Sequence, residues 1–237
     1  HKEGVTFVLD RAGVTGPDGA SHHGQWDLAL FQVVPNIRMA SPRDESRLRE
    51  LLAEAIAVDH APTMIRFSKG SIGSDIPAIR RTADGVDVLL ESPAKDVLLV
   101  PVGAMAKTAL EVASLLAAQG IGATVIDPRW MVPVAQSVVA MSADHRLVVS
   151  IEDGVKVGGI GTRIRQTLRA AQIDTPLNEL GLPDEFLEHA SRNEILQRVG
   201  LDARTIAQDI VAQVLGAKVP YARSLDEPAN RQQKQSR

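Results

Sequence analysis

Fifteen residues, Asp10 to Gly24 (DRAGVTGPDGASHHG), hold most of the chain's potential chemistry: two aspartates, an arginine, two adjacent histidines and four glycines. They follow a β-type apolar run, GVTFVLD, so Asp10 and Arg11 stand where a strand ends. In open α/β sheets that edge is where ligands bind. Arg11 suits a phosphate or carboxylate. A histidine at 22 or 23 suits proton transfer to or from a carbonyl oxygen, with Asp18 on the same loop. Glycines at 13, 16, 19 and 24 let the backbone take positive φ and approach a ligand closely. Ordinary turns are made of the same residues, and types alone leave site and turn evenly balanced. A metal site from Asp18, His22 and His23 is a third reading, disfavoured because adjacent histidines in an extended loop point to opposite sides.

Two further stretches carry charge at strand ends. IRFSKG (Ile65–Gly70) would place Arg66 or Lys69 beside Arg11 if the two strands are neighbours, and two cations there would make an anion site. A solvated basic turn is the bland alternative. EDGVKVGGIGTRI (Glu152–Ile164) follows a strand and opens a helix, as a dinucleotide fingerprint would, but Ile164 stands where the third glycine belongs. Packing is the favoured role for these glycines, with Glu152 and Asp153 facing a domain or subunit interface. His60, His145 and His189 have no evident partners in the sequence. No nucleophile elbow, Walker loop or His-Glu-x-x-His motif occurs.

The elements that must position these groups fall into two rhythms. A strand over 4–10, a short strand before Pro42, a helix capped by Ser41 or Asp44, and a short strand running into a basic turn over 62–70 form a first α/β unit, residues 1–72. Residues 73–93 hold turn formers and clustered charge, at most a hairpin, and are expected to be a linker. Residues 94–222 alternate strands and helices regularly, with Gly120 closing one helix, Pro133 in the first turn of another, and a terminal helix over about 202–215. That alternation predicts a mostly parallel sheet covered on both faces. Residues 223–237 are polar without periodicity and are expected to be disordered.

Composition narrows the function classes. The 237 residues carry 26 basic and 29 acidic side chains, and 3% are aromatic, which argues against nucleic-acid binding. No apolar run approaches the roughly 18–20 residues of a membrane span. With no cysteine, disulfides and thiolate chemistry are excluded, in keeping with a cytoplasmic protein. The chain opens at His1 without methionine and enters a strand almost at once, as a piece of a longer protein would.

The stretch Asp10–Ile56, with Asp-Arg-Ala-Gly, Gly-x-Asp-Gly-x-Ser-His-x-Gly, Trp-Asp-Leu and Pro-Arg-Asp in order, closely resembles the pyrimidine-binding domain of the 1-deoxy-D-xylulose-5-phosphate synthase family, thiamine-diphosphate enzymes of the transketolase superfamily. DPRWMVPV, VSIEDGVKVGGIGTRI and NELGLPDEFLEHASRNEILQRVGLDA resemble that family's C-terminal domain. The implied fold is α/β: a partial pyrimidine-binding domain followed by a transketolase C-terminal-type domain. The resemblance implies His22 beside the reacting carbonyl centre, Asp18 reaching toward the acceptor, and Arg11 on the acceptor's phosphate. Lys69 matches a second phosphate position that is arginine in many members, and lysine keeps the charge but loses the bidentate fork. Phe67 and Ser68 stand where tyrosine and proline are common, and His23 matches no assigned role.

The implied reaction condenses pyruvate with D-glyceraldehyde 3-phosphate with loss of CO2, feeding isoprenoid, thiamine and pyridoxal pathways, in a cytoplasmic homodimer. The family's Gly-Asp-Gly…Asn motif for thiamine diphosphate and Mg2+ is absent here, and the matched region starts after the glutamate that activates the aminopyrimidine. The resemblance therefore implies a C-terminal piece, inactive alone, that binds neither cofactor nor metal and has an exposed sheet edge. Alternatives are a transketolase C-terminal half, the β subunit of a 2-oxo acid dehydrogenase, or a non-catalytic dimerisation or regulatory module.

Overall fold

The computed structural model describes residues 2–70 and 73–216, so the tail expected over 223–237 lies outside the described residues. The first unit contains β1 (Thr6–Leu9), helix α1 (Asp27–Phe31), β2 (Arg38–Ala40), helix α2 (Glu45–Ile56) and β3 (Thr63–Arg66). Of the two expected caps for α2, Asp44 takes the position, its carboxylate accepting from the Arg47 N–H at 2.8 Å. The Ser41 hydroxyl donates instead to the Arg66 carbonyl. The three strands run parallel in the order β1-β3-β2, with Leu9 paired to Arg66. β1 forms the outer edge, where Val5, Phe7 and Val8 are 40–50% exposed.

The second unit is built on β4 (Arg80–Arg81), β5 (Asp87–Leu90), β6 (Val97–Pro101), β7 (Ala123–Asp127), β9 (Leu147–Val155) and β10 (Leu177–Leu182). The order is β10-β9-β6-β7-β5-β4; the first four run parallel, and β5 runs antiparallel to both of its neighbours, β7 and β4. Helices α3 (Met105–Ala117), α4 (Gln136–Asp144), α5 (Ile160–Ala170), α6 (Arg192–Arg198) and α7 (Ala203–Val214) complete it. All nine residues of β9 are buried, so its polar end (Ser150, Glu152, Asp153) must find partners inside the protein.

Three features depart from the sequence expectation. The segment 73–93, expected to be a linker with at most a hairpin, contributes the hairpin β4–β5 to the second sheet: Val86 and Val88 are buried, and Arg80, Arg81, Asp87 and Glu91 are ion-paired. The run ATVIDPRW, a single strand by its residue pattern, holds all of one strand and the start of another. After β7 the chain turns at Pro128-Arg129, and β8 (Trp130–Val132) crosses to the first sheet, antiparallel to β2. Arg129 takes φ 60°, with its N–H on the Asp127 carboxylate at 2.9 Å. Pro133 lies before α4 rather than in its first turn, because residues 130–132 are used by that strand.

The crossing strand makes the core common to both units. Leu28, Met39 and Met64 of the first pack with Leu98, Val100, Val132, Val148 and Ile164 of the second. The opposite face of the second sheet is closed by α3 and α7 through Ala109, Val112, Leu116, Ile206 and Ile210. A buried ion cluster joins the units as well. The Arg43 guanidinium, 1% exposed, donates to Asp87 at 2.7 Å and Asp127 at 2.6 Å. Removing one partner of such a cluster leaves uncompensated buried charge. Arg43→Met should therefore lower the unfolding free energy by about 3–5 kcal/mol, read as a reduced urea midpoint; an unchanged midpoint would refute the account.

Candidate active site

Because β1 and β3 are adjacent, parallel and in register, the chain leaves both at one edge of the first sheet. Arg11 follows β1 by two residues and Lys69 follows β3 by three. The loop between β1 and α1 is folded back onto them. Paired hydrogen bonds between Gly13 and Gly24, both 2.9 Å, close its neck, and the Ala12 N–H donates to the Phe67 carbonyl at 3.1 Å. Gly19, at φ 83°, reverses the chain where the His189 ring packs so close that a Cβ would collide with it. A 3-10 turn, Ala20–His22, follows.

This folding brings Arg11, Asp18 and Lys69 together. The Asp18 carboxylate accepts from Arg11 Nη1 at 2.9 Å and from Lys69 Nζ at 2.6 and 2.7 Å. Its carboxyl lies below the usual carboxylate range, first through the Lys69 hydrogen bond, then through the charges of Lys69, Arg11 and the nearby His22, against a desolvation cost. His22 is exposed, its Nδ1 3.1 Å from the Ser21 hydroxyl. The cations are half open to solvent, at 54% for Arg11 and 40% for Lys69. Beside them lies a cleft of about 740 Å3 lined by Arg11, Lys69, Phe67, Leu48, Lys107 and Arg192. Two cations, a carboxylate and an imidazole at one sheet edge can hold a phosphorylated ligand and move a proton near it.

The two histidines divide as their alternation requires. His23 turns inward, 4% exposed, its Nδ1 accepting the Thr15 N–H at 3.0 Å, and burial pushes its pKa down. With His23 committed to Thr15, it does not share a ligand set with Asp18 and His22, and among the described residues no group of three or more such side chains could hold a metal ion. His189, without partners in the sequence, is brought by the fold against the same loop.

Lys69, not Arg66, faces Arg11. Arg66 is 1% exposed and turns inward, donating to Asp27 at 2.8 Å and Asp153 at 3.0 Å. Asp153 also accepts from the Ser68 hydroxyl at 3.1 Å and from Arg192 at 2.6 Å, while Arg192 donates to the Val14 carbonyl at 2.9 Å. Glu152 occupies the start of α5, taking the Ile160 and Gly161 N–H groups at 2.9 Å each. A helix N-terminus that could receive a phosphate is thus filled by a side chain of the protein. Burial pushes the Glu152 carboxyl up to about 8, against those two donors. A Cβ at Gly159 would strike this carboxylate and one at Gly161 would strike Ser150 and Glu179, so both glycines serve packing. Asp153, Ser68 and Arg192 are the residues that sequence reasoning left without a role in the site; the one signal was an acidic pair closing an otherwise apolar strand.

The transketolase C-terminal domain family matches residues 87–206, and the transketolase pyrimidine-binding domain family matches residues 1–74. This chain belongs to the transketolase family. It is 68% identical over 231 residues to 1-deoxy-D-xylulose-5-phosphate synthase of Clavibacter sepedonicus, covering 98% of this chain and 36% of that protein. To the protein of the same name from Leifsonia xyli subsp. xyli it is 67% identical over 225 residues, covering 95% and 35%. The chain therefore spans about a third of the length of these curated relatives. Among solved structures, a split-gene transketolase described as an inactive β4 tetramer superposes with a TM-score of 0.77 at 27% identity, over 89% of this chain and 67% of that one. A Pichia stipitis transketolase, at 19% identity and a TM-score of 0.71, covers 90% of this chain and 30% of its own, and shows the same fold. The α/β architecture with mostly parallel sheets is thus that of the transketolase pyrimidine-binding and C-terminal domains.

The acid response of this transketolase-family chain follows from Asp153. Burial alone would raise its carboxyl, but the charges of Arg66 and Arg192 and their hydrogen bonds outweigh that and hold it at about 2, below the ordinary 3.8. The ionised form is the one the fold favours, so its contribution is complete above about pH 4 and is lost as pH falls toward about 2. That contribution is about 2 kcal/mol. Asp153→Asn should flatten the acid limb of a urea-stability profile between about pH 5 and 2; a limb as steep as the parent's would count against it.

Proposed function

We propose that this chain forms the acceptor-substrate side of a 1-deoxy-D-xylulose-5-phosphate synthase, which joins pyruvate to D-glyceraldehyde 3-phosphate with loss of CO2. The observation that carries the reading is the convergence of Arg11 and Lys69 on one carboxylate, Asp18, beside His22. Relatives so named, at 67–68% identity over nearly the whole chain, support the substrate assignment.

In this reading the acceptor's phosphate dianion takes the place between Arg11 and Lys69 that the Asp18 carboxylate holds in the structure. A dianion interacts with two cations more strongly than a monoanion does. Arg11 offers a planar fork and Lys69 a mobile point charge, so orientation comes from the arginine and attraction from both. Asp18, freed or shared, accepts a hydroxyl of the acceptor. His22, four residues beyond Asp18 on the same loop, gives a proton to the aldehyde oxygen as charge develops there. Thiamine diphosphate, when bound, supplies the electron sink for decarboxylation. The described residues do not fit its diphosphate and magnesium: no metal-holding cluster is present among them, and Glu152 fills the start of α5, whose N-terminal N–H groups a phosphate could otherwise take. Turnover in this reading belongs to the longer enzyme. We place that enzyme in the cytoplasm as a homodimer; among the described residues no helix is long and apolar enough to cross a membrane.

A second reading is favoured by the split-gene transketolase, whose β chain is described as an inactive tetramer. A chain of this extent would then be a separate subunit, inactive until joined by one carrying the cofactor domain. Both readings assign the same roles to the same residues. In the full-length or reconstituted enzyme, Lys69→Met should raise KM for glyceraldehyde 3-phosphate by about tenfold or more and leave KM for pyruvate unchanged. His22→Ala should lower kcat by about 10²–10⁴. Equal effects on both substrates, or an unaltered rate without His22, would overturn the assignment; turnover by the isolated 237 residues would overturn their dependence on a cofactor domain.

A further inference from the structure

The two cations assigned to the acceptor's phosphate follow different strands, and inside the first unit their segments are joined by the Ala12–Phe67 hydrogen bond and by the Asp18 carboxylate that an incoming phosphate would displace. Each is carried on a short segment beyond a strand end: Arg11 enters the loop through Ala12 and Gly13, and Lys69 follows Ser68. Both segments meet one buried residue of the second unit, Asp153, at the end of β9. On the Lys69 side, its carboxylate accepts from the Ser68 hydroxyl at 3.1 Å and from Arg66 at 3.0 Å. On the Arg11 side, Gly13 (φ 68°) lies against the same carboxylate so closely that a Cβ would collide with it. Arg192 closes the arrangement, donating to Asp153 at 2.6 Å and to the Val14 carbonyl at 2.9 Å. Asp27, held through Arg66 at 2.8 Å, ties α1 to the same point.

We propose that Asp153 is a positioning residue of the C-terminal domain that sets the distance between Arg11 and Lys69, and with it the affinity of the site for a phosphate dianion. It touches neither the cations nor the substrate. Its action runs through Ser68 and Arg66 on one side and through Gly13 and the Arg192–Val14 contact on the other. The inference rests on the reading of Arg11 and Lys69 as phosphate-binding arms, and gives the second α/β unit a part in substrate recognition beyond its packing.

The test is titration of inorganic phosphate into the full-length protein, unsubstituted and with Ser68→Ala or Asp153→Asn. Lys69→Met defines the binding that belongs to this site, and thermal melting is recorded in parallel. Phosphate affinity should fall about fivefold or more in both variants, with Ser68→Ala melting like the parent. The sign separates placement from charge: removing a carboxylate near two cations would by Coulomb attraction alone tighten anion binding. Weaker binding in Asp153→Asn therefore identifies placement. Unchanged or tighter binding in Ser68→Ala overturns the positioning role, whether or not Asp153→Asn folds. Absence of Lys69-dependent phosphate binding in the unsubstituted protein overturns the phosphate reading of the arms, and the positioning role with it.

Discussion

The guanidinium of Arg66 is the pivot of this structure. It is a full charge removed from water, which is tolerable only where carboxylates and hydrogen bonds replace the solvent. Asp27 and Asp153 supply them, one from the helix after the glycine loop and one from β9, the fully buried strand second from the edge of the other sheet. Because Arg66 ends β3, the requirement to neutralise it fixes α1 and β9 around that strand end. An apolar residue at 66 would pack more cheaply, but it would not specify which two elements must meet there. Directional, charge-assisted bonds do specify it.

A second cluster is centred on Arg43, which lines the same cleft as Ser68 and Arg192. It gathers Asp87 and Asp127 from β5 and β7 beneath the start of α2, and Arg129 with Glu54 continues the pairing toward β8. Trp130 joins through its indole N–H, which donates to Glu54 at 2.6 Å, while Arg38 lies over its ring at 4.5 Å. Both clusters accompany an apolar core common to the two sheets. Hydrophobic burial supplies most of the cohesion, and the ionic clusters add directional contacts between the units.

Local rules read much of this correctly from the chain. The β1 strand, the Asp44 cap, the α3 helix and the glycine loop each follow from spacing and residue type within a dozen positions. What could not be read there depends on distant partners. Arg66 and Lys69 are equally basic in sequence; only the depth of the strand end decides that one turns inward and the other faces solvent. The clustered charges between 73 and 93 read as a linker because their partners, Arg43 and Glu50, lie more than thirty residues upstream of Asp87 and Arg81. Helix α6 escaped notice although Ser191 and Glu194 form a reciprocal capping box, since the run behind them is only seven residues long. His189 and Asp153 reach the candidate site across the boundary between units, a relation that no pattern along the chain records.

The β8 strand has a consequence for how such a chain can be divided. A segment of the second unit completes the first sheet, so the covalent order of the chain and the grouping of its strands do not coincide. A cut in the segment between the units would leave the upstream piece with a bare β2 edge and the downstream piece with an orphan strand. Gene fission, proteolytic trimming and the exchange of modules between related enzymes are therefore disfavoured at that seam. The first sheet is whole only when the second unit is attached.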